Sequence, residues 1–77
     1  MRIQVLGTGC AKCSELTRRT EAAVQQLRLG TPVEKVDDIR QIMAFGVMTT
    51  PALVVDGKVK LAGRVPGVDE LVTILGS

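Results

Sequence analysis

The sequence lacks tryptophan, tyrosine and histidine and carries a single aromatic residue, Phe45. Without a set of aromatic side chains there is no stacking platform for single-stranded nucleic acid, and a net charge of +2 is too mild for a phosphate-binding footprint. Nucleic acid is therefore not an expected partner. The absence of histidine beside only two cysteines leaves too few ligands for a structural zinc site, which as a rule takes four. Long apolar runs are missing too: the longest aliphatic stretch, Ala52 to Val55, is far short of the ~20 residues that cross a bilayer. The N-terminal run Met1-Arg2-Ile3-Gln4-Val5-Leu6 stops at Gly7, too soon for the core of a signal peptide. No membrane partner is expected, and the cytoplasm is the default location. There is no linker, repeat or low-complexity segment. Residues 1–77 are read as one domain acting as a monomer, with 45% hydrophobic residues to build one core.

The residues that are present predict seven short elements. Ile3 and Val5 stand two apart in the run Arg2 to Leu6, which breaks at Gly7-Thr8-Gly9, the pattern of a strand entering a tight loop. From Cys13 onward, Leu16, Thr20, Ala23, Val24 and Leu27 recur at helical spacing, with Glu15, Arg18, Arg19, Gln25 and Arg28 on the other side. Gly30 is the expected left-handed cap of that helix, and Pro32 follows it. Val33 to Val36 reads as a second strand, with Glu34-Lys35 suited to a sheet edge. Asp37 and Asp38 can cap a second helix, with Gln41 in capping-box register and Ile39, Ile42 and Met43 on one face; Gly46 ends it. Pro51 precedes the aliphatic strand Ala52 to Val55. Asp56-Gly57 then turns it into Lys58-Val59-Lys60-Leu61, where charged and apolar residues alternate and the lysines guard an edge. Val68, Leu71, Val72 and Leu75 form the stripe of a terminal helix after Pro66-Gly67. This α/β order makes the first two strands parallel by the right-handed crossover rule, with helices on both faces of the sheet. Gln4 is the odd residue of the scheme, a polar side chain directed from an inner strand toward a covered face.

Two cysteines in a reducing compartment point to catalysis, redox exchange or metal binding rather than a permanent bridge. Cys10-Ala11-Lys12-Cys13 falls where a strand loop becomes a helix start. Unpaired backbone N–H groups and the positive end of the helix dipole favour a thiolate there. Cys10 is thus the expected nucleophile. Lys12 adds a positive charge beside it, although a lysine merely solvated at a helix start fits the sequence equally well. Cys13, three residues on and in line with Leu16, is the expected, more shielded resolving thiol. A stability staple is the weaker reading, because closing so short a loop contributes only ~2 kcal/mol. The same two thiolates suit Cu(I), so a soft-metal carrier remains the alternative function. Small ferredoxin-like carriers end on a strand, however, where this chain ends on a helix. Gly7-Thr8-Gly9 is not a dinucleotide loop, since Lys12 holds the place of its final glycine.

A C-x-x-C after the first strand, a Thr-Pro before the third and this order of elements resemble the thioredoxin and glutaredoxin superfamily over essentially the whole chain. More narrowly, Thr8-Gly9-Cys10-Ala11-Lys12-Cys13, Gly46-Val47-Met48-Thr49-Thr50-Pro51-Ala52 and Gly63-Arg64-Val65-Pro66 resemble the small glutaredoxin-like redox-active disulfide proteins. The resemblance implies a minimal thioredoxin-like βαβαββα fold with sheet order 2-1-3-4. It implies a thiol–disulfide oxidoreductase whose only redox group is the Cys10–Cys13 couple, with protein disulfides as substrates and a reductase as partner. It also implies that Pro51 is cis and faces the Cys10 sulfur, with the Thr50 backbone offering strand-like hydrogen bonds to a substrate. Gly9 stands where thioredoxins carry tryptophan, and Ala11-Lys12 where they carry Gly-Pro. No acidic residue in the first strand can take the proton of the resolving thiol, which leaves that step to water or a substrate group. Only Gly63 and Asp69 echo the glycine–aspartate motif of glutaredoxins, so glutathione is not an expected ligand.

Overall fold

Four short strands form one mixed sheet in a computed structural model that describes residues 1–9 and 11–76; Cys10 and Ser77 lie outside the described residues. The elements are β1 (Ile3–Leu6), α1 (Ala11–Leu27), β2 (Val33–Val36), α2 (Ile39–Ala44), β3 (Ala52–Val55), β4 (Lys58–Ala62) and α3 (Val68–Gly76). The sheet runs β2-β1-β3-β4, with β1 parallel to β2 and antiparallel to β3, and β3 antiparallel to β4. This is the α/β fold and the 2-1-3-4 order expected above.

Alternation along the inner strands divides the core in two. Ile3, Val5, Leu53 and Val55 face α1 and α3, where they pack with Leu16, Ala23, Leu61, Leu71 and Leu75. Leu6, Val36, Ala52 and Val54 face the other way and are covered by Ile42 of α2, with Phe45 and Val47 beside them. Every residue of β1 and β3 is buried, as an inner strand with both faces covered requires. Gln4 is buried in register with Glu34 and Val54, on the α2 side. Among the described residues no fully buried side-chain nitrogen or oxygen lacks a partner. Thr17 and Thr20 are also buried on α1, and their hydroxyls donate to the carbonyls of Cys13 and Leu16 at 2.9 and 2.7 Å. Such back-bonding within the helix lets a polar side chain face the core.

Three expectations are corrected. α1 is capped by Arg28, not Gly30: Arg28 takes φ 53°, its N–H donates to Gln25 O at 3.1 Å, and Leu29 N–H donates to Val24 O at 3.2 Å. That paired closure is a Schellman motif, and it lets Leu29 pack against the core. Gly30 also has positive φ, but it lies in the loop beyond the cap. The second correction concerns β4. Asp56 and Gly57 both have positive φ, as a two-residue turn matched to the strand twist demands. The register then slips between Leu53 and Val54, so Leu61 pairs with Leu53 while Val59 pairs with Val54. The irregularity at Lys60 sends Val59 and Leu61 to opposite faces; Leu61 joins the core and Val59 stays 39% exposed. The third concerns α2. Asp38 is its N-cap, accepting from Arg40 N–H at 2.8 Å, and Gly46 N–H closes the far end on Met43 O, but only Ile42 of its three apolar residues is buried. Six residues make too short a helix to turn a whole stripe inward, and Ile39 and Met43 stand exposed.

Arg2 ties the outer strand to β1. Its guanidinium donates to both oxygens of Glu34 at 3.0 and 3.1 Å, and this hydrogen bond, then the opposite charge, holds the Glu34 carboxyl below its ordinary pKa. A carboxyl depressed in the folded state stabilises fully above its unfolded pKa, and that contribution is lost as pH falls through the folded value. Glu34→Gln is therefore expected to lower the urea midpoint slightly at neutral pH and to converge with the unchanged chain in acid. At the cap, Arg28→Gly removes a side chain from the left-handed region and is expected to raise stability by about 0.5–1 kcal/mol, read from urea unfolding at constant m-value.

Candidate active site

The first turn of α1 meets the end of β1 at Gly7. A Cβ placed on Gly7 would lie 2.1 Å from Cys13 Sγ and 2.9 Å from Cys13 Cβ. Glycine is required there by close approach, since its φ is not in the left-handed region. Gly7 N–H also donates to Val36 O at 2.9 Å, which extends the parallel pairing past β1 and anchors the exit of β2 beside the same turn. Cys13 is 6% exposed, and Lys12, next to it, is exposed to solvent. The expected role of Cys10 falls on a residue outside those described; in sequence it precedes Ala11, the first residue of a 17-residue helix with no acidic side chain in its first turn.

A second loop approaches from β3. The Thr50–Pro51 peptide bond is cis, Pro51 is fully buried and Thr50 is exposed. Pro51 O accepts a hydrogen bond from Gly63 N–H at 2.8 Å. Gly63 has φ 80°, and a Cβ there would come within 2.9 Å of Thr49 Oγ1, so the turn after β4 closes tightly over the loop before β3. The segment that follows is held to α1: Arg19 donates to Pro66 O at 3.1 Å and to Val65 O at 3.4 Å while pairing with Glu15 at 2.7 Å. Arg64 pairs with Glu70. The Arg19 hydrogen bond lowers the Glu15 pKa, and the Arg64 hydrogen bond lowers that of Glu70. Both carboxylates are committed to arginines, and among the described residues Lys12 is the cation without a salt bridge in the open groove between α1 and the Gly63–Val65 turn.

Two further recesses flank the site. One is an apolar groove of about 450 Å³ in which Thr8 and Thr50 meet the exposed side chains Ile39, Met43 and Met48. Met48 is 97% exposed, and three large apolar residues gathered on one side of the Thr50 loop form a patch of the kind that marks interaction surfaces. The other, of about 210 Å³, opens on Cys13 between Gly7, Thr17, Lys35 and Asp37. Of the residues singled out in the sequence, the structure thus places Thr50 beside the loop that precedes Cys10, Cys13 under Gly7, and Lys12 on the opposite rim of α1. Gly7, Lys35, Asp37 and Met48 were not singled out as site residues. The only available hint was Gly7 in the Gly-Thr-Gly turn, which reads equally well as a plain loop.

Gly7→Ala forces the first turn of α1 away from β1, and is expected to cost about 1–3 kcal/mol in denaturant unfolding while increasing the alkylation rate of Cys13.

Residues 1–76 match the family described as thioredoxin domain. The chain is 40% identical over 75 residues to a thioredoxin of Methanothermobacter thermautotrophicus, covering 97% of each chain. It is 32% identical over 69 residues to a thioredoxin of Methanocaldococcus jannaschii, covering 90% of this chain and 79% of the relative. With Cys13 in the first turn of α1, a cis proline before β3, the 2-1-3-4 sheet and these matches, the chain belongs to the thioredoxin-domain family of thiol–disulfide oxidoreductases.

Proposed function

We propose that the chain reduces or exchanges disulfides of protein substrates, with Cys10 as the attacking thiolate and Cys13 as the resolving thiol. The observation that carries this reading is the position of Cys13, shielded under Gly7 in the first turn of α1, in a chain whose relatives are thioredoxins. A long helix whose first turn holds no carboxylate leaves its positive end unneutralised, and Lys12 adds a cation; both favour a thiolate at Cys10. Cys10 Sγ attacks one sulfur of a substrate disulfide. A Cys10–substrate bond forms, the substrate S–S bond breaks, and the second substrate sulfur leaves as a thiolate that solvent protonates. The Cys13 thiolate then attacks Cys10 Sγ. The Cys10–Cys13 bond forms, the substrate's other sulfur is released, and the substrate has gained two electrons and two protons. A dithiol reductase returns the couple to its reduced form. Thr50 offers backbone groups to an extended substrate segment, Pro51 holds that loop in place, and the groove of Ile39, Met43 and Met48 receives apolar side chains. The scheme uses no cofactor beyond the dithiol couple, has no place for glutathione, and suits a monomer in a reducing cytoplasm.

Incubation with a peptide disulfide distinguishes the roles. Cys10→Ser is expected to exchange at the uncatalysed rate, whereas Cys13→Ser accumulates a stoichiometric mixed disulfide visible by mass. A Cys13→Ser variant that traps nothing would count against the assignment. Tight Cu(I) uptake lost in Cys13→Ser, with no disulfide exchange by the unchanged chain, would replace it with the carrier reading.

A further inference from the structure

Three residues of the chain are methionines, and two of them, Met43 and Met48, line the apolar groove beside Thr50. Methionine is ordinarily a buried residue. Here α2 is too short to turn Met43 inward, and Met48 stands on the loop between α2 and β3, so the two side chains are 68% and 97% exposed. Among the described residues the lining of this groove, about 450 Å³ in volume, includes no ionisable side chain, and the two thioethers are the groups in it that an oxidant can change. The Cys13 sulfur is shielded by comparison. The groove is bounded by the two loops that the exchange chemistry uses: Thr8 lies two residues before Cys10, and Thr50 carries the cis bond to Pro51. A change of polarity at Met43 and Met48 is therefore made beside the place where a substrate segment lies.

We propose that Met43 and Met48 form a reversible oxidation site, at which hydrogen peroxide makes the groove polar and weakens its hold on substrates with apolar residues beside their disulfide. A thioether lone pair attacks one peroxide oxygen. The S–O bond forms as the O–O bond breaks, the departing hydroxide is protonated to water, and the sulfur gives up the two electrons that the peroxide gains. The sulfoxide adds an acceptor oxygen that an apolar side chain cannot pair, so docking an apolar residue against it strips that oxygen of water without return. Stereospecific sulfoxide reductases reverse the step. The inference rests on the exchange reading above, in which this groove receives apolar side chains of the substrate. It adds that substrate choice responds to oxidant through the groove as well as through the thiols.

For the test, the full chain is first oxidised to its disulfide so that peroxide is not spent on the thiols. It is then treated with hydrogen peroxide and returned to the dithiol form with excess dithiothreitol, which leaves sulfoxides in place over the assay. Peptide mapping by mass is expected to show one added oxygen on each of Met43 and Met48, at close to the rate of methionine in an unstructured peptide. KM and kcat are then measured for two peptide disulfides that differ in the residues flanking the disulfide, leucine in one and glycine in the other. The unchanged chain and the double variant Met43→Leu/Met48→Leu are each assayed with and without peroxide treatment. Leucine keeps the volume and apolar character of methionine and takes up no oxygen. Treatment is expected to raise KM of the unchanged chain for the leucine peptide roughly 5- to 10-fold, the effect of losing one well-packed interface side chain, with kcat and the glycine peptide unaltered. The double variant is expected to keep its own untreated KM. Slow oxidation of both methionines, an unchanged KM for the leucine peptide, an equal rise for the glycine peptide, or the same rise in the double variant would overturn the oxidation site while leaving the exchange chemistry intact. Failure of the untreated chain to turn over either peptide would remove both.

Discussion

The side chain of Cys13 lies directly on the backbone of Gly7, so close that a methyl group there would occupy the place of the sulfur. That contact sets the height and tilt at which α1 leaves the sheet. Because Gly7 is also hydrogen-bonded to Val36, it sets where β2 ends relative to the same helical turn. The rest of α1 follows: Leu16, Ala23 and Val24 come down on Ile3, Val5 and Leu53, and α3 closes beside them through Leu71 and Leu75. A domain of this size has little surplus core, so a shift at this tight junction is felt throughout.

The two sheet faces are unequal, and the site sits where they differ. Two helices cover most of one face, whereas the six-residue α2 covers only the end of the other nearest Leu6, Val36 and Ala52. The apolar side chains that α2 cannot turn inward gather beside Thr50, and Val59 is left exposed where β4 slips register. Incomplete coverage is what leaves apolar surface next to the Thr50–Pro51 loop. On the opposite rim the arginines are absorbed by Glu15, Glu70 and the Val65 and Pro66 carbonyls, so they brace the Gly63–Pro66 segment rather than present charge to a ligand.

Much of this was legible beforehand. The Asp-Gly turn, the Asp38 cap, the stripe of α1 and the order of elements all follow from neighbours within a few residues of one another, where backbone propensity and periodicity act directly. The misread features have specific causes. Arg28 displaced Gly30 as the cap because Leu29 gains core contact if the helix closes two residues earlier, an advantage that only the core reveals. Ile39 and Met43 obey a helical period that has no matching surface to meet. The alternation of Val59 and Leu61 hides the register slip, since one extra residue reverses every side chain beyond it.

The sequence by itself determined the spacing of the cysteines and its surroundings in the chain: two cysteines three apart after a strand and a glycine-rich turn, a Thr-Pro before an aliphatic strand, and no carboxylate in the first strand. Only the tertiary structure decided what the second thiol meets. Parallel pairing of β1 with β2 brings Lys35 and Asp37 to the wall of the cavity that opens on Cys13, from a different element and across the whole length of α1. No periodicity or local propensity encodes that adjacency, because it is created by hydrogen bonds between strands and by the packing of a helix on the sheet they form.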